Sequence, residues 1–442
     1  MYKKLLAKFN RLTADSDNRE LLLKSGAAFS VRLIGFLASY LFTITVTRLA
    51  GAGAWGIFSI CFTFMNIAAV ISNLGLETAI VRYIAAFSAT EATKKLIYIF
   101  KVGRKYVLVC GSLVALVSYL AIPYVVVYFE KPMLIRPLQI AALLVLPLAL
   151  LNYQAAAFQG IKLILSYTFF QNVLRFVFAA IAFGIFWLND FFEPVLAFGI
   201  GIVLSWLLAI FFWEKKYHGI STTNDLLEVS PQNLLKTALP LLLASSIRLL
   251  TGWTDTMFLA YYHQNSDVGI YNVVFKLSQL TVFTLIAFNS ITAPKFSEAY
   301  AKEDFSALSK IMRHSNVMIF WSTVPILILI ALFPTLWLSF FGQEFAGGKV
   351  ALWVLTFAQF INAATGSCGV FLQMTGNEKT FQWIALAAAG LNILINIILT
   401  PSMGILGAAY ASAASIICWN LTSVWFIRKK FNIKALYLPG IY

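Results

Sequence analysis

Four cations fall inside stretches that otherwise suit a hydrocarbon environment: Arg32, Arg175, Arg248 and Lys276. Arg248 is the most informative. It has eleven residues before it and fourteen after it in the apolar run Thr237–Tyr262, and a bilayer crossing needs only about 20. A guanidinium keeps its charge, and holding one at bilayer centre costs about 2.5–3.5 kcal/mol even on the lenient insertion scale. Asp255 follows seven residues later on the same helical face. That is about 10 Å along the axis, too far for a direct ion pair. Ser245, Thr251 and Gly252 continue the polar stripe. Fixed charge at this depth calls either for a partner on another helix or for a polar cavity with a charged solute to fill it.

Arg32 lies about 10 Å into the first apolar run, within reach of snorkelling to the headgroups. Lys276 enters from the opposite end of its run, and Arg175 sits near a run's inner end. Glu77 and Arg82, in NLGLETAIVRYIA, suit a gate or a headgroup contact; their spacing of five keeps them off one helical face. Asn66 and Asn362 are candidate polar lining, and Asn152, Gln154 and Gln359 add further buried hydrogen-bonding groups. Pro147, Pro240, Pro325 and Pro334 interrupt apolar runs and free backbone carbonyls. Four cations against one deep carboxylate make a net positive lumen, which suits an anionic solute. Arginine's planar fork matches phosphate oxygens. An inside-negative potential favours outward movement of anions by about 2.3 kcal/mol per charge per 100 mV.

These residues must be held by membrane helices. Of 442 residues, 60% are hydrophobic and only 12% charged, with mean hydropathy +0.82, outside the range of soluble domains. Strict apolar–polar alternation is absent, which excludes a membrane β-barrel. The chain reads as an all-α polytopic membrane protein. Twelve transmembrane spans are expected at 25–49, 55–77, 104–129, 137–159, 168–188, 194–213, 237–262, 270–292, 314–339, 350–374, 380–399 and 404–427. With the N-terminus in the cytoplasm, 25 of the 33 Lys and Arg fall in or at the ends of inside segments, four outside and four within spans. The net charge of +15 is therefore a topology signal with both termini inside, and not the footprint of a nucleic acid. Residues 1–24 lack a cleavable signal core and read as a cytoplasmic amphipathic segment. Cys61, Cys110, Cys368 and Cys418 fall within spans without close pairing. His218, His263 and His314, placed in or beside loops, form no metal-ligand cluster.

Six spans (25–213) precede the polar stretch 214–236 and six (237–427) follow it, with a cytoplasmic tail at 428–442. The halves resemble repeats. At an offset of 213 residues, Gly56 falls on Gly269, Phe62 on Phe275, Arg82 on Lys295, Phe87 on Tyr300 and Glu91 on Asp304. The same offset brings Arg32 within one turn of Arg248. With six spans each, the halves share one orientation about an axis along the membrane normal. External loops are too short for a folded domain, and no GxxxxGK[ST] occurs. The chain thus hydrolyses no nucleotide itself, and needs no cofactor.

TRLAGAGAWGIFSI (Thr47–Ile60), NLGLETAIVRYIA (Asn73–Ala85), ALPLLLASSI, Asp255 and VGIYNVVFKLS (Val268–Ser278) together resemble the polysaccharide-biosynthesis branch of the multidrug/oligosaccharidyl-lipid/polysaccharide (MOP, MATE-like) exporter superfamily, over essentially the whole chain. The resemblance implies a Wzx-type flippase of a bacterial inner membrane, moving an undecaprenyl-pyrophosphate-linked O-antigen or related oligosaccharide to the periplasmic leaflet. It implies two pseudo-symmetric six-helix bundles in a V around a charged cavity, working by alternating access, and no enzymatic activity. Cavity residues would be Arg248, Arg32, Lys276, Asp255 and Arg175. A Na⁺ or H⁺ gradient could drive it, with a polymerase and chain-length regulator as partners. Three alternatives stay open. A MATE-type ion-coupled drug exporter typically uses buried carboxylates, but the first span carries Arg32 instead. A lipid II flippase usually has more than twelve helices. A membrane O-antigen polymerase or glycosyltransferase would need an acidic motif in a sizeable outer loop.

Overall fold

The computed structural model describes residues 16–128, 130–218 and 231–439; the side chains of 16–29, 128, 231–233, 236, 240–241 and 243–252 lie outside that description. Every element among the described residues is helical, with no strand. The helices are α1 (Ser16–Asn73), α2 (Leu76–Ala89), α3 (Thr93–Tyr128), α4 (Ile135–Gly160), α5 (Ile164–Thr168), α6 (Arg175–Trp187), α7 (Pro194–Lys216) and α8 (Pro231–Tyr262), followed by α9 (Asn265–Ser278), α10 (Val282–Ala301), α11 (Phe305–Leu332), α12 (Pro334–Ser339), α13 (Lys349–Thr365), α14 (Cys368–Met374), α15 (Glu378–Met403) and α16 (Ile405–Phe431). In lipid a helix satisfies its own backbone, so a chain this apolar has little alternative.

Each expected span falls on helix. By length and composition, nine helical stretches among the described residues can cross a membrane, or ten if the bent pair ending in α14 is one span. The first of the nine, Ser30–Asn73, is broken at Gly51, where φ is +81° and ψ 178°. Such a backbone favours glycine, and it divides α1 into the two spans read there from the sequence. A second break, at Leu74 and Gly75 (φ +49° and +77°), starts α2, so Glu77 opens a new helix and does not close the second span. Pro334 likewise begins α12, and His314 lies within α11 and not beside a loop.

The chain forms two compact units. The first comprises the described residues within Met1–Thr45, Ala68–Leu120 and Ile140–Leu241; the second, those within Val46–Ile67, Ala121–Gln139 and Leu242–Tyr442. Residues 46–67 and 121–139, which lie among the first six expected spans, belong to the second unit. Three charged residues account for much of this, each at a helix end of suitable sign. Arg48 donates to the carbonyls of Ser339 and Phe340, both at 2.8 Å, where α12 ends. Glu344 Oε1 accepts the Ala52 N–H at 2.5 Å, just past the Gly51 break. Lys131 donates to the carbonyls of Ala260, at 2.5 Å, and His263 at the end of α8. Burial pulls the Lys131 ammonium below its ordinary pKa, against the opposing pull of Asp267.

The final segment does not trail free. After Asn432, in the left-handed region at φ +53°, Ile433 and Ala435 are buried in an apolar cluster with Phe296, Leu308 and Phe371. Asn316 Nδ2 donates to the Ala435 carbonyl at 2.6 Å, and the Tyr437 N–H donates to the Ala364 carbonyl at 2.8 Å. Ala364 lies two residues before the α13–α14 break at Gly366, so the returning chain supplies a backbone donor near an interrupted helix.

Candidate functional site: two carboxylate cages and an aromatic-held lysine

Asp255, on α8, is 1% exposed and sits inside the second unit. Its Oδ2 accepts from Tyr271 and Ser412 hydroxyls, both at 2.5 Å, and its Oδ1 from Asn392 and Asn396 amides at 3.0 and 2.7 Å. Asn392 and Asn396 share one face of α15 by their spacing of four, and Thr400, a turn further on, donates to Asn396 Oδ1 at 2.8 Å. Tyr271 comes from α9 and Ser412 from α16, which packs along α15. The amide oxygens already have donors, so the cage is saturated. Among the described residues no ion pair to Asp255 occurs, and the donors that hold the carboxylate are neutral. Hydrogen bonds to a charged group are worth about 1.5–3 kcal/mol each, enough for four to sustain a buried anion. Tyr271, Asn392, Asn396 and Ser412 were not expected from the sequence.

Lys276, on α9, places its ammonium 5.7 Å from the centroid of the Trp55 ring, a cation–π arrangement. The same two helices meet at a very close crossing. A Cβ on Gly56 would lie 1.7 Å from the Asn265 carbonyl oxygen, and one on Gly269 would lie 2.1 Å from that of Ala52. Both pairs are related by the repeat offset of 213: Ala52 to Asn265, Gly56 to Gly269. Equivalent residues of the two halves thus face each other reciprocally. Small residues permit such approach where no hydrophobic effect drives helices together.

In the first unit, Glu77 Oε1 accepts from Asn73 Nδ2 at 2.6 Å, and Asn152 on α4 also hydrogen-bonds the carboxylate. No ion pair to Glu77 occurs among the described residues. Arg175 opens α6 directly after a π-helical turn, Phe169–Leu174. Its guanidinium lies 5.0 Å from the Phe176 ring and 6.0 Å from Phe198, with Nε buried and lacking a hydrogen-bond partner among the described residues. Gly201 lets α7 approach, since a Cβ there would come within 2.2 Å of the Arg175 carbonyl oxygen.

The remaining candidates divide plainly. Arg32 and Arg82 are exposed on α1 and α2. Asn66 donates to the Phe62 carbonyl of its own helix at 2.7 Å. Asn362 is buried in a network with Gln359, Asn420 and Thr365. The backbone of α8 runs through Arg248, but the side chains of Arg248, Ser245 and Thr251 lie outside the described residues.

A polytopic helical bundle that holds carboxylates among neutral donors is the kind of build that membrane transporters have. Solved structures share this fold. A MATE-family multidrug transporter of the MOP superfamily, in an inward-facing conformation, matches with TM-score 0.72 and 15% identity over 91% of this chain and 98% of its own. The lipid II flippase MurJ, in an inward closed conformation, matches with TM-score 0.71 and 15% identity, over 93% of this chain and 89% of its own. The family model described as polysaccharide biosynthesis protein matches residues 21–300, and the MatE model matches 240–398. The chain belongs to the polysaccharide biosynthesis protein family. Among curated relatives, an uncharacterised membrane protein of Methanocaldococcus jannaschii is 21% identical, over 85% of this chain and 77% of its own. The Lsg locus putative protein 1 of Haemophilus influenzae is 23% identical, over 72% and 77%. A probable low-salt glycan biosynthesis flippase, Agl15, of Haloferax volcanii is 23% identical over 42% of this chain and 39% of its own.

Proposed function

We propose that the protein is a flippase for a lipid-linked oligosaccharide, moving it between leaflets by alternating access. The observation that carries this reading is the family match over residues 21–300 on a MATE-like fold; the flippase names of the Haloferax relatives support it. In its finer form, the substrate is an undecaprenyl-pyrophosphate-linked O-antigen or related repeat unit, carried from the cytoplasmic to the periplasmic leaflet of a bacterial inner membrane. Both termini are cytoplasmic, and a polymerase and chain-length regulator act downstream. Arg248, with Arg32, Lys276 and Arg175, provides the positive charge that meets the pyrophosphate. In this topology the Arg48, Glu344 and Lys131 contacts lie at the periplasmic ends of their helices, where they tie segments of the first six spans to the last six.

The test is Arg248→Ala in cells whose surface polysaccharide can be measured. Display is expected to fall to background while membrane abundance stays normal, and lipid-linked oligosaccharide should accumulate on the cytoplasmic leaflet. Arg248→Lys should recover only part, because an ammonium cannot make the bidentate contact. Full display by Arg248→Ala would sink the assignment; accumulation on the periplasmic leaflet would point to a polymerase.

A further inference from the structure

Glu77 has one carboxylate and, as partners, two carboxamides. Asn73 is 1% exposed, and both Asn73 Oδ1 and Asn152 Oδ1 are buried without a hydrogen-bond partner among the described residues. Each amide directs its nitrogen at Glu77 and leaves its oxygen with no donor. The cluster therefore has an excess of acceptors and a negative charge, and no Lys or Arg pairs with it among the described residues. A buried oxygen without a donor is unfavourable, and a half-buried carboxylate beside two of them adds to the deficit of positive charge.

We propose that Glu77, Asn73 and Asn152 form a site for a monovalent cation of the sodium class at the break between α1 and α2. The chemistry separates this from protonation. A proton on Glu77 would neutralise the charge but supply only one new donor, leaving at least one amide oxygen orphaned. A cation satisfies carboxylate and amide oxygens together. A half-turn of either amide exchanges its nitrogen and oxygen at nearly constant shape, so the three side chains can turn all their oxygens inward. Glu77 also lies in the first turn of α2, where the helix N-terminus favours the ionised carboxylate. A single carboxylate balances one positive charge, and no group of three or more His, Cys, Asp or Glu that could hold a multivalent metal occurs among the described residues. Breaks in membrane helices are recurrent places for such ions, where backbone carbonyls are freed beside the ligating side chains. The role of the ion, coupling to substrate movement, rests on the flippase reading; the site itself does not.

Binding is measured on the purified full-length protein with ²²Na⁺ as the probe and choline as the replacement cation. Wild type is expected to bind saturably, with Glu77→Gln weakening binding more than tenfold. Asn152→Leu, which removes one oxygen and keeps the charge, should weaken it about tenfold, and decides the matter if Glu77→Gln fails to fold. As a second readout, sodium should raise the melting temperature of wild type and not that of the folded variants. No saturable sodium binding by wild type, or undiminished binding by the folded variants, overturns the site. Full polysaccharide display by Arg248→Ala, with sodium binding intact, would count against the flippase reading alone.

Discussion

Two carboxylates, Asp255 buried and Glu77 half-buried, one in each unit, are housed in opposite ways. Asp255 has four donors from three other helices, and the oxygens of its amide partners are themselves satisfied. Glu77 has two donors whose oxygens are buried and orphaned. The first cage is complete as an anion within neutral protein. The second is short of positive charge. The difference shows that burial of a carboxylate does not by itself specify a role; the balance of donors and acceptors around it does. Asp255 joins α8, α9, α15 and α16 through one side chain, whereas Glu77 joins only the α1–α2 break and α4. Loss of charge should therefore cost stability at one site and ligand binding at the other.

The largest effect is expected from Asp255→Ala, which strands four buried donors. One unsatisfied buried donor costs about 1–3 kcal/mol, so a loss of at least about 3 kcal/mol should appear as a clear fall in melting temperature. An unchanged melting temperature would break the contrast at its stronger end. Asn396→Ala should come next, at about 1.5–3 kcal/mol, because it removes a hydrogen bond to a charged group and the acceptor for Thr400. Asn73→Ala sharpens the comparison: it deletes one donor but also one orphaned acceptor, so its cost should be clearly smaller than that of Asn396→Ala in parallel melts. The smallest effect belongs to Glu77→Gln in sodium-free buffer. Removing a half-buried charge that has no ion pair among the described residues should be neutral or stabilising by about 1 kcal/mol, and a fall as large as that of Asp255→Ala would erase the distinction.

Both acids were legible in the sequence as charges in apolar runs, and the helical membrane architecture was legible from composition and charge asymmetry. Their cages were not. Tyr271, Asn392, Asn396 and Ser412 lie on other helices, with Asn396 141 residues from Asp255, and chain spacing carries no record of which helix faces which. One local signal was present: LNILINIIL places two asparagines four apart in an otherwise aliphatic stretch, a polar pair on a single face. The tail offered a similar hint, since ALYLPGIY is too apolar to favour water. The break at Gly51 was foreshadowed by AGAG, but that at Leu74 was not, because a leucine at positive φ is rare. The repeat offset aligned Gly56 with Gly269 correctly, although alignment alone does not say that the two residues touch.

That contact has a consequence for how such a chain arises. Ala52 against Gly269 and Asn265 against Gly56 is a self-complementary arrangement: exchange the halves and the same contacts return. A contact of this kind is what two copies of a six-span chain make about a two-fold axis. The crossing preserves, within one polypeptide, the form of a homodimer interface, and the residues free to diverge are those off the axis, where Thr63 of one half corresponds to Lys276 of the other.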